Sequence, residues 1–182
     1  MKMRSKLLFG VFISTSILTM ATNAADKEAA NDLAMALQKD LGTVLMTAMM
    51  EDGPMAALHV CNLEAQDITA NHDGDKAKVT RISHRNRNAL NEVPEEFAEK
   101  YAELMDNYQA SEGKAKAVDF ISEGEQHISM RAIPTAQHCL VCHGGNIEPE
   151  LKAEIDRLYP NDEAVDFNLG EMRGAFLIEW QE

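Results

Sequence analysis

The residues of this chain best placed to do chemistry stand in one run, Cys139-Leu140-Val141-Cys142-His143. Two cysteines separated by two residues and followed at once by histidine form the pattern for covalent haem attachment. One turn of chain sets the two sulfurs opposite the two vinyl groups of a porphyrin, giving two thioether links. The histidine is then held beneath the iron, where an imidazole nitrogen binds as an axial ligand. The rival readings fit less well. A zinc site needs four ligands, and no second Cys/His pair at ligand spacing exists. A redox dithiol belongs to a strand–helix–strand setting that this stretch lacks. One covalent haem c is therefore expected, attached at Cys139 and Cys142, with His143 on the iron.

The N-terminus points the same way, because c-type haem is attached after export. Lys2, Arg4 and Lys6 form a positive start, Leu7 to Met20 is almost continuously apolar, and Ala21-Thr22-Asn23-Ala24 offers a small-residue cleavage site. That is the pattern of a secretory signal peptide over residues 1–24, leaving 25–182 as one mature, periplasmic domain. The apolar stretch is short for a membrane span, which needs roughly 20 residues, so no span is expected after cleavage. Losing three basic residues leaves 14 basic against 30 acidic ones, a formal charge of −16. Such a surface repels nucleic acid and anionic lipid and favours basic partners.

Cys61 is the third cysteine, an awkward count for an exported protein, where a free thiol tends to oxidise. The face of the iron opposite His143 is open to Cys61, to another histidine, or to one of the eight methionines that follow Ala24, Met130 and Met172 among them. His59 lies about 200° around the helix from Cys61, at roughly 100° per residue, so the two cannot both face one iron. His72, His84, His127 and His138 stand in polar contexts, and most methionines read as core filler. Cys61, unpaired and on an apolar helix face, has the better claim, with a buried inert cysteine as the alternative.

The elements that must position these residues follow from periodicity. Leu33, Leu37, Leu41 and Leu45 make a helical stripe within Asp26–Met50. Asp52-Gly53-Pro54 ends that helix and starts another, on which Ala57, Leu58, Cys61, Ala65 and Ile68 share a face pointing into the core. Lys78–Ser83 reads as a short strand. Pro94-Glu95-Glu96 opens a helix carrying Phe97, Tyr101, Leu104 and Tyr108. Beyond Gly113 the period becomes two, through Val118/Phe120, Ile128/Met130/Ala132 and Phe176/Ile178/Trp180. These are strands of an antiparallel sheet, so the chain reads as one α+β domain. A helical-bundle cytochrome fits less well, since His143-Gly144-Gly145 interrupts any helix and the C-terminus alternates like a strand.

Several motifs, in order, carry a family likeness. They are Ala56-Ala57-Leu58-His59-Val60-Cys61, Arg81-Ile82-Ser83, Arg87-Asn88-Ala89-Leu90-Asn91 and Ile133-Pro134, then the attachment run continued by Gly144. Tyr159-Pro160-Asn161-Asp162-Glu163-Ala164 and Gly170-Glu171-Met172-Arg173-Gly174-Ala175 complete the set. Over most of the mature chain the sequence resembles the PAS-like c-type haem domain family. Ile82 stands where the family usually has Thr, and Ala89 where Pro commonly follows the Arg-Asn pair; neither touches the haem ligands. The resemblance implies a PAS-like antiparallel sheet flanked by helices, and a haem ligated by His143 and Cys61. Arg81, Arg87 and Arg173 recur in the matched motifs and are candidate partners for the haem propionates, with loop capping or surface ion pairing as the alternative. Tyr159-Pro160 reads as shaping a turn rather than touching haem.

Two functions follow. Members of the resembled family are often fused to signalling modules, which implies redox or gas sensing; here a signal would pass to a separate protein partner. The alternative is a soluble electron carrier, for which an acidic exported haem protein is suited. A haem enzyme such as a peroxidase is not expected, since a six-coordinate iron has no open site and no distal acid–base pair is evident.

Overall fold

The computed structural model describes residues 18–181. Of the expected signal peptide, residues 1–17 lie outside the described residues. A long helix, α1 (Leu18–Glu51), leads into α2 (Pro54–Leu63) and α3 (Ala65–Ala70), then strand β1 (Ala77–Ile82). After a looped segment come α4 (Ala98–Ala110), β2 (Ala117–Ile121) and β3 (His127–Pro134). The chain ends with the short α5 (Leu140–His143), α6 (Pro149–Leu158) and β4 (Met172–Trp180). Among the described residues no helix is long and apolar enough to cross a membrane.

The four strands form one sheet in the order β1-β4-β3-β2, every neighbour antiparallel. The last strand thus inserts beside the first, pairing Arg81 with Phe176 on one side and Arg131 with Phe176 on the other. Because strand side chains alternate, β4 feeds two cores. Ala175 and Leu177 join Ile82, Ile128 and Met130 beneath Tyr101, Leu104 and Tyr108 of α4. Phe176 and Ile178 join Ala77 and Val79 beneath Ala30, Ala34 and Leu37 of α1. Leu104 is fully buried, so Leu104→Ala is expected to cost about 2–5 kcal/mol, read as a lowered denaturant midpoint, with the cysteines untouched.

Helix α1 is fastened to the sheet by a buried cation. Arg131 of β3 donates from Nε to Asn31 Oδ1 (2.5 Å) and from Nη2 to the Lys27 carbonyl (3.2 Å), while Nη1 pairs with Asp119 of β2 (2.7 Å). This sets the C-terminal half of α1, from Leu41 onward, over the end of the sheet where the cysteines gather.

One expectation needs correction, and one helix was missed. The helix read as continuous from Pro54 through Ile68 breaks at Glu64 (φ −113°, ψ −28°) into α2 and α3. The break lets the Ala65 carbonyl and Thr69 Oγ1 of α3 both accept from the Arg81 guanidinium of β1, at 3.1 and 3.0 Å. Helix α6 was not foreseen, although its signals were local. Pro149 occupies its first turn, the Glu148 carboxylate accepts from the Glu150 and Leu151 amides, and Leu151 and Ile155, four apart, are buried.

Candidate functional site

The attachment run is a single tight turn. A 3-10 turn over Gln137–Cys139 passes into α5, which Gly144 ends in an extended conformation. A Cβ at Gly144 would stand 2.7 Å from the Leu140 carbonyl oxygen, so this stop requires glycine. Three positions apart on one helical turn, Cys139 and Cys142 fall on the same side, and both line one cleft with His143. Cys142 is also packed from behind by the cluster of Leu58, Leu151, Ile155 and Tyr159, which joins α2 to α6. Burial pushes the Cys142 thiol up to about 11, with Arg87 pulling against it.

His143 is held in one tautomer. Its Nδ1 lies 2.7 Å from the Ala164 carbonyl oxygen. A carbonyl only accepts, so Nδ1 carries the hydrogen and Nε2 keeps a free lone pair. The Phe167 amide donates to the His143 carbonyl at 2.9 Å, and the Phe167 ring meets the imidazole edge-on, 6.4 Å between centroids. Phe167 is itself fixed by the Arg85 guanidinium 3.6 Å from its ring centroid. Burial, reinforced by the Arg173 and Arg87 cations, holds the His143 pKa well below the usual histidine range. The ring is therefore neutral at ordinary pH, the form that binds a metal.

The cleft has a cavity volume of about 240 Å³ and is open to solvent on one side. Leu41, Leu45 and Met49 of α1 and Ile133 and Phe176 of the sheet form apolar walls. Cys61 stands on the same cleft. It does not point into a core, as its helix face suggested, but keeps a partly accessible surface toward this space. Burial still raises its thiol pKa, opposed by Arg81, Arg87 and Arg173 in that order. All three cysteines are free.

Arg81, Arg87 and Arg173 all line the cleft, but their bonding differs. Arg87 is committed to Asp162, with Nε to Oδ1 at 3.1 Å and Nη2 to Oδ2 at 3.0 Å. Among the described residues, neither Arg81 nor Arg173 has a carboxylate within ion-pair distance. Arg173 donates only to Ser83 Oγ (3.2 Å) and the Arg85 carbonyl (3.3 Å), and burial first, then Arg87, brings its pKa down to about 10. Two enclosed cations without counter-ions, facing an apolar cleft, suit a flat apolar ligand that bears carboxylates. With two thiols on one turn and a free imidazole nitrogen, the residues fit a covalently attached haem.

The remaining lining residues are sorted by the fold. Tyr159 contributes its ring to the cleft rather than only shaping a turn, and His138 lines it while remaining exposed. Met49 is the methionine among the lining residues, whereas Met130 and Met172 are packed in the core beneath α4. His59 is exposed, as its angle from Cys61 required. Among the described residues no three His, Cys, Asp or Glu side chains gather as a metal-ion site.

Fold and site together define a single PAS-like α+β domain, its sheet and helices enclosing a cleft edged by a Cys-x-x-Cys-His turn. The chain belongs to the Tll0287-like family, whose model, Tll0287, matches residues 13–180. Among solved structures, that of the cyanobacterial heme-protein Tll0287 is similar, with a TM-score of 0.57 and 21% identity. The match covers 87% of this chain and 93% of that one; at this identity it speaks to the fold. No curated protein matches the chain.

Proposed function

We propose that this protein is an exported mono-haem c-type protein, with haem attached at Cys139 and Cys142, His143 on one face of the iron and Cys61 on the other, acting in redox or gas sensing. The observation that carries this is the attachment turn on an apolar cleft, with His143 Nε2 free and Cys61 lining the same space. The heme-protein similarity in fold supports it. Bound haem would supply a redox-active iron that also takes diatomic gases when a ligand leaves. The chain's own residues attach it, orient His143 through Ala164, and offer Arg81 and Arg173 to the propionates. Leu41, Leu45 and Met49 exclude water from one face.

Sensing is favoured by where Cys61 sits. It lies in the last turn of α2, just before the break at Glu64, so a sulfur that leaves the iron frees the end of a ten-residue helix packed on α1, α5 and α6. That movement can be read by a separate signalling or redox protein. Electron transfer is the second reading, supported by the acidic charge and by Val141, 39% exposed within the attachment turn, which would bring the haem edge near the surface. On either reading the protein is not an enzyme and works in the periplasm.

Protein matured with export is expected to keep its haem through acidified-acetone extraction, whereas Cys139→Ser/Cys142→Ser releases all of it. Extraction of haem from the unaltered protein would overturn the covalent assignment. Carbon monoxide displacing Cys61, seen in the visible spectrum, favours sensing; rapid redox cycling with no gas binding favours the carrier.

A further inference from the structure

The Arg87–Asp162 pair is buried, with side chains 8% and 3% exposed, and it does more than neutralise itself. Arg87 Nη2 also donates to the Cys142 carbonyl (2.7 Å) and to the Ala164 carbonyl (3.2 Å). Asp162 Oδ1 accepts from the Ala164 amide at 2.9 Å. The Ala164 carbonyl is therefore held from both ends of its residue, and it is the oxygen that receives the His143 Nδ1 hydrogen. One oxygen serves two donors, and one of them is a cation.

We propose that Arg87 and Asp162 are positioning residues that set how strongly His143 donates electrons to the iron, acting through the Ala164 carbonyl. This rests on the haem reading above. A strong bond from Nδ1–H to oxygen gives the imidazole anionic character and favours ferric iron; outer partners of a ligating histidine tune its basicity in this way. The Arg87 guanidinium draws density from the shared oxygen and weakens that bond. Asp162 limits the effect by taking part of the same guanidinium. The contact from Arg87 to the Cys142 carbonyl ties this balance to the attachment turn, so the cation stays in register with the ring it influences.

Two variants separate this from simple charge. Arg87→Lys keeps the positive charge but cannot bridge Asp162, Cys142 and Ala164 together. The Nδ1 hydrogen bond then strengthens, moving the His143 Nδ1–H proton resonance downfield. The midpoint potential falls by about tenfold in the redox equilibrium, about 59 mV for one electron. Asp162→Asn leaves Arg87 free to press on Ala164, moving the resonance upfield and the potential up. The resonance is read in the ferrous carbon monoxide complex, which is diamagnetic whatever ligand opposed His143, and the potential by titration of the same haem-loaded proteins.

An unmoved resonance in both variants overturns the proposal, even if the potential changes. Opposite shifts in the two variants support it. If Arg87→Lys does not fold, Asp162→Asn decides alone. If neither loads haem, the pair is a folding element and the proposal falls. Unaltered protein that carries no haem sinks the functional reading as well, which distinguishes the two failures.

Discussion

Replacing Cys61 with serine is expected to leave the haem attached, abolish the ferric electron paramagnetic resonance spectrum of the unaltered protein, and raise the reduction potential. The rise should be on the order of 0.1 V or more, within the ~0.8 V that axial ligands span. A thiolate donates negative charge and holds iron ferric; a serine hydroxyl is a poor ligand that leaves the face opposite His143 open. Attachment is unaffected because Cys139 and Cys142 are on a separate turn from Cys61, and Cys142 is packed by Leu58, Leu151 and Ile155. Arg81, Arg87 and Arg173 oppose the burial that raises the Cys61 thiol pKa, and iron coordination would complete the deprotonation. Gas binding should also become tighter and faster in the serine variant, because no sulfur must leave first. A spectrum unchanged by the substitution would remove Cys61 from the iron and return the position to another lining residue such as Met49 or His138.

The second large effect is structural. A Cβ added at Gly174 of β4 would run into the Ile82 carbonyl oxygen and stand 3.3 Å from Ser83 Cβ. The obstacle is backbone at the end of β1, not the tip of a flexible side chain, so it cannot swing away. Gly174→Ala must therefore push β1 off β4, at a cost of about 1–3 kcal/mol or more. For a domain of this size that lowers Tm by roughly 2–12 °C. Haem loading should fall with it, since Gly174, Ile82 and Arg173 all border the cleft. Gly42 is the control. It lies within α1 with nothing within 4 Å of an added Cβ, so Gly42→Ala should raise stability by about 0.5–1 kcal/mol. Equal melting temperatures for Gly174→Ala and the unaltered protein would mean that the two strands part without penalty there.

What was legible in the sequence is what depends on neighbours along the chain. The Cys139/Cys142/His143 motif lies within one helical turn, so its spacing alone was enough to raise the expectation of attachment. The alternation in β3 and β4 and the Tyr101/Leu104/Tyr108 stripe of α4 are likewise local, and they were enough to predict an antiparallel α+β domain. The likeness carried by the short motifs extended this to the PAS-like arrangement that the chain adopts. The helix break at Glu64 was hidden because the apolar spacing from Ala57 to Ile68 continues across it. The interruption is rewarded only by the distant Arg81.

The tertiary structure alone decided what His143 sees and what the arginines do. Sequence order treats Arg81, Arg87 and Arg173 alike, yet among the described residues Arg81 and Arg173 have no carboxylate at ion-pair distance while Arg87 is bound to Asp162. The Ala164 carbonyl carries no sequence signal, since every residue has one; only the fold of the 159–170 loop brings that oxygen to Nδ1. Cys61 and His143 stand far apart in the chain, and an apolar helix face says only that a side chain is shielded. Whether the shield is a packed core or the wall of a cleft is decided by the distant elements that line the space beside it. The attachment motif was thus written in a local spacing, and the surroundings of His143 in contacts that exist only once the last strand has closed the sheet.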